Sequence, residues 1–261
     1  MLMGVDEGHR DKISDPLMPS ACVSRPVSRK EILSNAQAAK AMQVEWDRLR
    51  KISSWDESLP REWDVVAREA RLSGKEVHMG MIFGFVVEEN SDLPPGDPRR
   101  KYKGRVVFQG NNVKNQNWEA AVFADLGSAP SSMEAGRVVD AFGLQPGYSI
   151  QQSDAVQAYL QAELRGNETW VLLPRDQWPE SWSHMRKPVC RLRVALYGHP
   201  DSGTDWEAHC SEKLTSIGLQ EIGKGAWPSC FYLPALKIML SVYVDDFKMA
   251  GPEENLNKGG S

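Results

Sequence analysis

The chain has 261 residues, with 31 basic against 35 acidic side chains and a net charge of −4; 41% of its residues are hydrophobic and 25% charged. These proportions describe one large or two small globular domains with a real core, and they exclude wholesale disorder, a collagen-like chain and a coiled coil. No apolar run approaches the ~18–20 residues of a membrane-spanning helix. Residues 1–10 carry Asp6 and Glu7 where a secretory signal would be apolar. Cys22, Cys190, Cys210 and Cys230 stand far apart with no C-x-x-C pair, which fits reduced thiols in a cytoplasmic or nuclear protein that is not secreted.

In chain order, residues 1–27, polar and interrupted by Pro16, Pro19 and Pro26, are expected to form an irregular lead-in. Ser28-x-x-Glu31 has the form of a capping box. Behind it Ala39, Met42, Trp46 and Leu49 recur with the period of one helix face, predicting a helix that ends near Lys51. A second helix is expected over 61–73, stopped by Gly74. Residues 81–87 read as a buried strand and 102–109 as its return strand, with a Pro- and Gly-rich loop over 90–98. Ser131-x-x-Glu134 predicts the cap of a helix to Phe142, broken at Pro146-Gly147. A strand is expected over 148–154, a helix over 155–164, where good helix formers meet no breaker, and a short strand over 169–173. Residues 178–188 read as loop, 204–217 as a helix closed by Gly218, and 229–233 and 238–244 as strands. His78, His184, His199 and His209 show no metal-ligand spacing and read as surface or loop histidines. Trp46, Trp170 and Trp206 read as core.

Two stretches carry no acid: 98–117, with Arg99, Arg100, Lys101, Lys103, Arg105 and Lys114, and 181–200, with Arg186, Lys187, Arg191 and Arg193. The overall acidity is not the profile of a nucleic-acid binder. Locally such stretches describe either a solvated face or the wall of a phosphate-facing groove.

The last predicted strand runs straight into Asp245-Asp246. Adjacent carboxylates raise each other's pKa unless a cation neutralises them, and a hard divalent metal is the natural partner. Successive strand residues face opposite ways, so both reach one site only if the chain turns there. Taken alone, Tyr243-Val244-Asp245-Asp246 describes a surface turn equally well. Asp154, however, ends an independent strand some 90 residues upstream. Three carboxylates from two adjacent strands can hold two metal ions about 3.5–4 Å apart, an arrangement suited to phosphoryl or nucleotidyl transfer.

Across residues 30–251 these features, in their order, resemble the reverse transcriptase domain of Ty1/copia-type retrotransposons. The opening helix ends in WDRLRK (from Trp46), followed by Ser54-Trp55. KYKGRVVFQGN (from Lys101) is similar to the family's "YKARLVAKG", SDAVQAYL (from Ser153) to "LDVKNAFL", and TWVLLP (from Thr169) to "VYMxxP". CRLRVALYG (from Cys190), with Trp206 after it, is similar to "KLxKALYGLKQxxRxW", and VYVDD (from Val242), with Ala250-Gly251 after it, to "VYVDDxxxxG".

The resemblance implies an α+β fold: fingers over 28–130, a palm over 131–251 with an antiparallel sheet backed by helices, and a tail over 252–261. It implies an RNA-directed DNA polymerase that transfers nucleotides from dNTPs to a primer 3′-hydroxyl on an RNA or DNA template, with two Mg²⁺ ions or Mn²⁺ in their place. Asp154 and Asp245 would be the principal metal ligands and Asp246 a supporting one. Arg105, with Lys101 or Lys103, would hold the triphosphate, and Tyr159 would lie under the sugar and exclude a 2′-hydroxyl. Thumb, RNase H and integrase domains of a polyprotein would be its partners, with no membrane. Departures are also present. The family's "LKQ" is His199-Pro200-Asp201 here, 63–73 looks like an inserted helix, and the fifteen residues after Asp246 leave no room for a thumb, which describes a C-terminally truncated fragment. A catalytically silent nucleic-acid-binding remnant and a plain structural domain with a surface Asp-Asp turn are the competing expectations.

Overall fold

The computed structural model describes residues 23–123, 128–223 and 226–259. Most of the expected lead-in, with Cys22, lies outside them. The architecture is α+β, and the chain divides into two compact units, residues 1–42 with 85–104 and residues 43–84 with 105–261. Strands β3 (Val77–Glu89) and β4 (Lys101–Phe108) have residues in both.

In the smaller unit β1 (Arg25–Pro26) pairs with the end of β3, so the lead-in is not irregular to its last residue. Helix α1 (Arg29–Ser34) is capped by the Ser28 side chain, which accepts from Glu31 N–H. The capping box closes only halfway, because the Glu31 carboxylate turns to the Arg25 guanidinium at 2.6 Å. The single predicted helix is two: Asn35 interrupts it, and its side-chain oxygen accepts from the N–H groups of Gln37 and Ala38 to start α2 (Ala36–Lys51). Val27, Ala38 and Val86 form this unit's core, with Ile32, Met42 and Tyr102 against it.

The larger unit holds two sheets. In one, β3 runs parallel to β7 (Glu168–Leu172), β7 pairs with β8 (Pro188–Arg191), and β8 with β2 (Arg61–Glu62); β5 (Lys114–Asn115) pairs with β3. Helix α3 (Trp63–Ser73) ends at Gly74 in the left-handed conformation, as its sequence predicts. It buries Trp63, Val66, Ala67 and Ala70 against Val77, Met79, Trp170 and Val189.

The other sheet is five-stranded and antiparallel where its pairs are resolved, in the order β6 (Tyr148–Asp154), β12 (Asp246–Pro252), β11 (Ile238–Tyr243), β10 (Cys230–Leu233), β9 (Gln220–Glu221). Helix α5 (Ser202–Ser216) covers one face, packing Trp206, Cys210 and Leu214 on Phe231, Leu240, Val242, Phe247 and Met249. Helix α4 (Met133–Gly143) lies on the other face. Its cap is Ser132 rather than Ser131. At its C-terminal end a Cβ on Gly143 would sit 2.3 Å from Ile150. Helix α6 (Glu253–Gly259) buries Leu256 near the end of β12.

Two further expectations are corrected. Residues 155–164 are not a helix. Only Ala158–Gln161 make a short 3₁₀ turn, because the backbone beyond is bonded elsewhere: Leu164 N–H to Arg193 C=O and Ala195 N–H to Ala162 C=O. Local helix propensity yields to this pairing. Of the histidines among the described residues, only His184 is exposed in a turn; His209 is on α5. His78 on β3 and His199 are buried, at 2% and 5% exposure. His199 lies 4.8 Å from the Phe108 ring and 5.5 Å from Phe123. Its Nδ1 accepts from Asp201 N–H at 3.2 Å, and burial lowers its pKa to about 4.

The segment containing Tyr197 and Gly198 locks onto the end of β4. Phe108 N–H donates to Tyr197 C=O at 2.8 Å. Gly198 has a φ of +88°, and a Cβ there would stand 2.2 Å from the Phe108 carbonyl oxygen. Only glycine meets both conditions. Gly198→Ala is therefore expected to lower unfolding free energy by at least about 3 kcal/mol in urea titration; a loss under about 1 kcal/mol would contradict this packing.

Candidate functional site

β12 was not predicted, and it is what organises the acidic residues. Its side chains alternate: Phe247 and Met249 enter the layer under α5, while Asp246 and Lys248 face the α4 side. The register sets Asp246 opposite Asp154 on β6 and opposite Tyr243 on β11. Lys248 stands opposite Gln152 and is held by Asp140 of α4 at 3.0 and 3.1 Å. These residues, with Arg137, Met133 and Ser241, line a cleft of about 580 Å³.

Asp154 and Asp246 are both exposed and face each other across the β6–β12 pair. The Asp246 pKa is raised, first by desolvation, then by the hydrogen bond it donates to Asp154 and by the negative charges of Asp245 and Asp154. Asp245 does not line the cleft. Its charge is felt also by the phenols of Tyr159 and Tyr197, whose pKa values are raised first by burial and then by each other or by Asp245. Those two rings meet edge to face at 4.6 Å. Among the described residues no three His, Cys, Asp or Glu side chains are gathered to hold one metal ion. The structure thus sets two of the three predicted carboxylates opposite each other, and Asp245 stands in the adjoining turn, outside the cleft lining.

That turn is tight. Tyr243 pairs with Asp246 across Val244 and Asp245. Val244 has a φ of +57°, where a β-branched residue is rare. Glycine is the usual first residue of a two-residue hairpin loop with this backbone. Two bonds hold it: Ala155 N–H donates to Asp245 C=O at 2.7 Å, and the Trp206 indole N–H donates to Val244 C=O at 2.6 Å. The sequence marks Trp206 as core, which it is, at 4% exposure; its second role had no signal beyond its place in the motif.

The basic residues are distributed differently. Arg105, in the larger unit, is half-buried, forms no ion pair among the described residues, and its charge reaches the Tyr197 phenol. Lys101 and Lys103 belong to the smaller unit, where Lys103 is bound to Glu89 at 3.2 Å. Half of the basic residues in the two acid-free stretches are ion-paired; besides Lys103, Arg99 is held by Asp97, Arg100 by Glu88, Arg191 by Glu168 and Arg193 by Asp56. Lys187 sits 3.8 Å over the Trp118 ring. Asp201, the departure from the family motif, lines a separate 420 Å³ pocket with His78, Phe123, Arg165, Asn167 and Asp205.

An α+β fold with a carboxylate hairpin beside a carboxylate-bearing edge strand is the arrangement that the sequence motifs anticipate. Residues 93–259 match the family model described as "Reverse transcriptase (RNA-dependent DNA polymerase)", and the chain belongs to that family. Over 266 aligned positions it is 23% identical to the Ty1-LR2 and Ty1-ML2 Gag-Pol polyproteins of Saccharomyces cerevisiae (strain ATCC 204508 / S288c), and equally to that of Ty1-DR4. The alignment covers 95% of this chain but 14% of the first two relatives and 16% of the third. The expected Ty1/copia-type reverse transcriptase domain is thereby borne out.

The raised Asp246 pKa has a consequence for stability. Asp246 binds its proton more tightly in the folded chain than in the unfolded one. The proton therefore stabilises the fold below the ordinary carboxylate range, and that contribution is lost as pH rises through the raised native value. Asp246→Asn keeps a neutral side chain beside Asp154 and removes the repulsion. In EDTA its Tm is expected to exceed wild type near neutral pH and to converge with it below about pH 4; a difference independent of pH would refute the raised pKa.

Proposed function

We propose that this chain carries the polymerase centre of a copia-type retrotransposon polyprotein and transfers nucleotides from dNTPs to a primer 3′-hydroxyl on an RNA or DNA template. One observation carries the reading: Asp154 and Asp246 stand opposite each other in register on neighbouring strands beside an open cleft. Two exposed carboxylates drawn together in this way are a hard-oxygen donor set that fits a divalent cation. Asp154 and Asp246 would hold it, with Asp245 as the further ligand on which a second ion would depend. Bound there, Mg²⁺ or Mn²⁺ would supply charge neutralisation and Lewis acidity for nucleotidyl transfer.

The protein's own groups do the rest. Arg105, free of ion pairs among the described residues, holds the triphosphate as a planar donor; Lys103, bound to Glu89, is the weaker candidate, and Lys101 stands on the same strand. Tyr159, braced edge to face by Tyr197, forms the floor under the nucleotide sugar and leaves no space for a 2′-hydroxyl. The five-stranded sheet with α4 and α5 is the palm, and the β3–β4 hairpin belongs to the fingers. The primer–template and the thumb, RNase H and integrase domains of a polyprotein are the partners. One observation favours a second reading, a silent nucleic-acid-binding remnant: among the described residues no three acidic, His or Cys side chains are gathered around one metal position.

Primer extension on a primed RNA template, with Mg²⁺ and dNTPs, separates the two. Wild type is expected to extend, and Asp154→Asn and Asp245→Asn to lose activity by at least about a hundredfold. Template binding should persist in all three and weaken as salt rises. Binding without extension by wild type would replace the polymerase with the silent binder.

A further inference from the structure

The turn that carries the two aspartates is held in a conformation its own sequence disfavours. Val244 is β-branched and sits at a φ of +57°, which an L-residue adopts only when its surroundings impose it. The neighbouring strands fix Tyr243 and Asp246 on either side, and Ala155 fixes the Asp245 carbonyl. The Val244 carbonyl, at the apex, is bonded by one side chain, the Trp206 indole, at 2.6 Å.

We infer that Trp206 is a positioning residue, whose indole N–H sets the path of the Val244–Asp245 turn and so where both aspartates stand. Burial of the ring alone does not explain the bond. Trp63 and Trp170 are as deeply buried, and their indole N–H groups have no partner. Trp206 is fixed to α5 by the cluster of Cys210, Leu219, Phe231, Leu240 and Val242, so its N–H is presented from a rigid helix. Asp245 follows Val244 directly, and its carbonyl is tied to the residue after Asp154. Releasing the apex therefore frees Asp245 most, between two points that stay fixed. The inference rests on the polymerase reading only for the role of the aspartates; the positioning of the turn stands without it.

Trp206→Phe keeps an aromatic filler and removes the donor. It is expected to shift the backbone amide NMR signals of Val244, Asp245 and Asp246, to weaken Mn²⁺ binding severalfold, and to lower kcat for primer extension about tenfold with KM for dNTP within about twofold. Val244→Gly accepts the positive φ without strain, so Trp206→Phe should cost less in that background, a non-additivity that a merely structural role would not give. Wild-type amide signals at the turn together with wild-type Mn²⁺ affinity in Trp206→Phe would overturn the inference. If wild type extends no primer yet the signals and affinity respond, the polymerase reading fails and the positioning role stands. Should Trp206→Phe not fold, hydrogen exchange of the Trp206 indole in wild type decides. Slowing by at least about a hundredfold against a free indole is expected, and exchange at the free rate would overturn it.

Discussion

The antiparallel register that pairs Asp246 with Asp154 on one side and with Tyr243 on the other puts these three residues in a row across β6, β12 and β11. In a sheet, register decides face. A slip of one residue would carry Asp246 into the apolar layer and Phe247 into the cleft. Burying a lone carboxylate and exposing an aromatic ring are both costly, so the α5 layer itself locks the acidic row in place. The same alternation sets Lys248 under Asp140 and leaves its charge spent on that pair. The raised Asp246 pKa reflects desolvation first and then the neighbouring carboxylates.

The distribution of positive charge follows a different logic. A stretch without acids is not thereby a positive surface, because strands borrow acids from their neighbours. Glu88 and Glu89 lie near the end of β3 and answer Arg100 and Lys103, and Asp97 answers Arg99 from within the connecting loop. In the second stretch Asp56 and Glu168 do the same for Arg193 and Arg191. Among the basic residues left without an ion pair, Arg105 is close enough to Tyr197 for its charge to be felt there, as is that of Asp245. A guanidinium and a carboxylate facing one pair of phenols is a narrower, more directional arrangement than a basic patch, and it suits a single small anion better than a long polyanion.

How much of this could be read from the chain depends on which forces were local. The strand ending at Asp154, the helix over α3 with its glycine stop, and the strand leading to Tyr243 all declare themselves through local pattern and agree with the structure. β12 did not, because DFKMAGP mixes charge with a glycine and a proline, and its period of two is meaningful only once β6 and β11 flank it. Residues 155–164 misled in the opposite sense: their helix propensity is real, but backbone bonds to Arg193 and Ala195, distant in sequence, outweigh it. The buried state of His78 and His199 was hidden for a similar reason, since the rings that enclose His199 come from Phe108 and Phe123. The three acidic positions were visible as residues, whereas the two-residue turn that leaves Asp245 outside the cleft lining was not.

That turn joins the separate motifs into one device. A positive φ at valine stores about 1–3 kcal/mol, and two hydrogen bonds of about 1 kcal/mol each are of the size needed to offset it. One comes from the residue after Asp154 and the other from Trp206, so the blocks that stand apart in sequence as SDAVQAYL, CRLRVALYG with its trailing tryptophan, and VYVDD meet at a single strained peptide. With glycine at the apex the turn would form without help, but it would also form in several ways. A valine that must be held there is held in one, and the geometry of Asp245 then depends on contacts from both the α5 side and the β6 side of the sheet. The strain is in this sense informative: it makes the position of the aspartates conditional on the rest of the fold being correct.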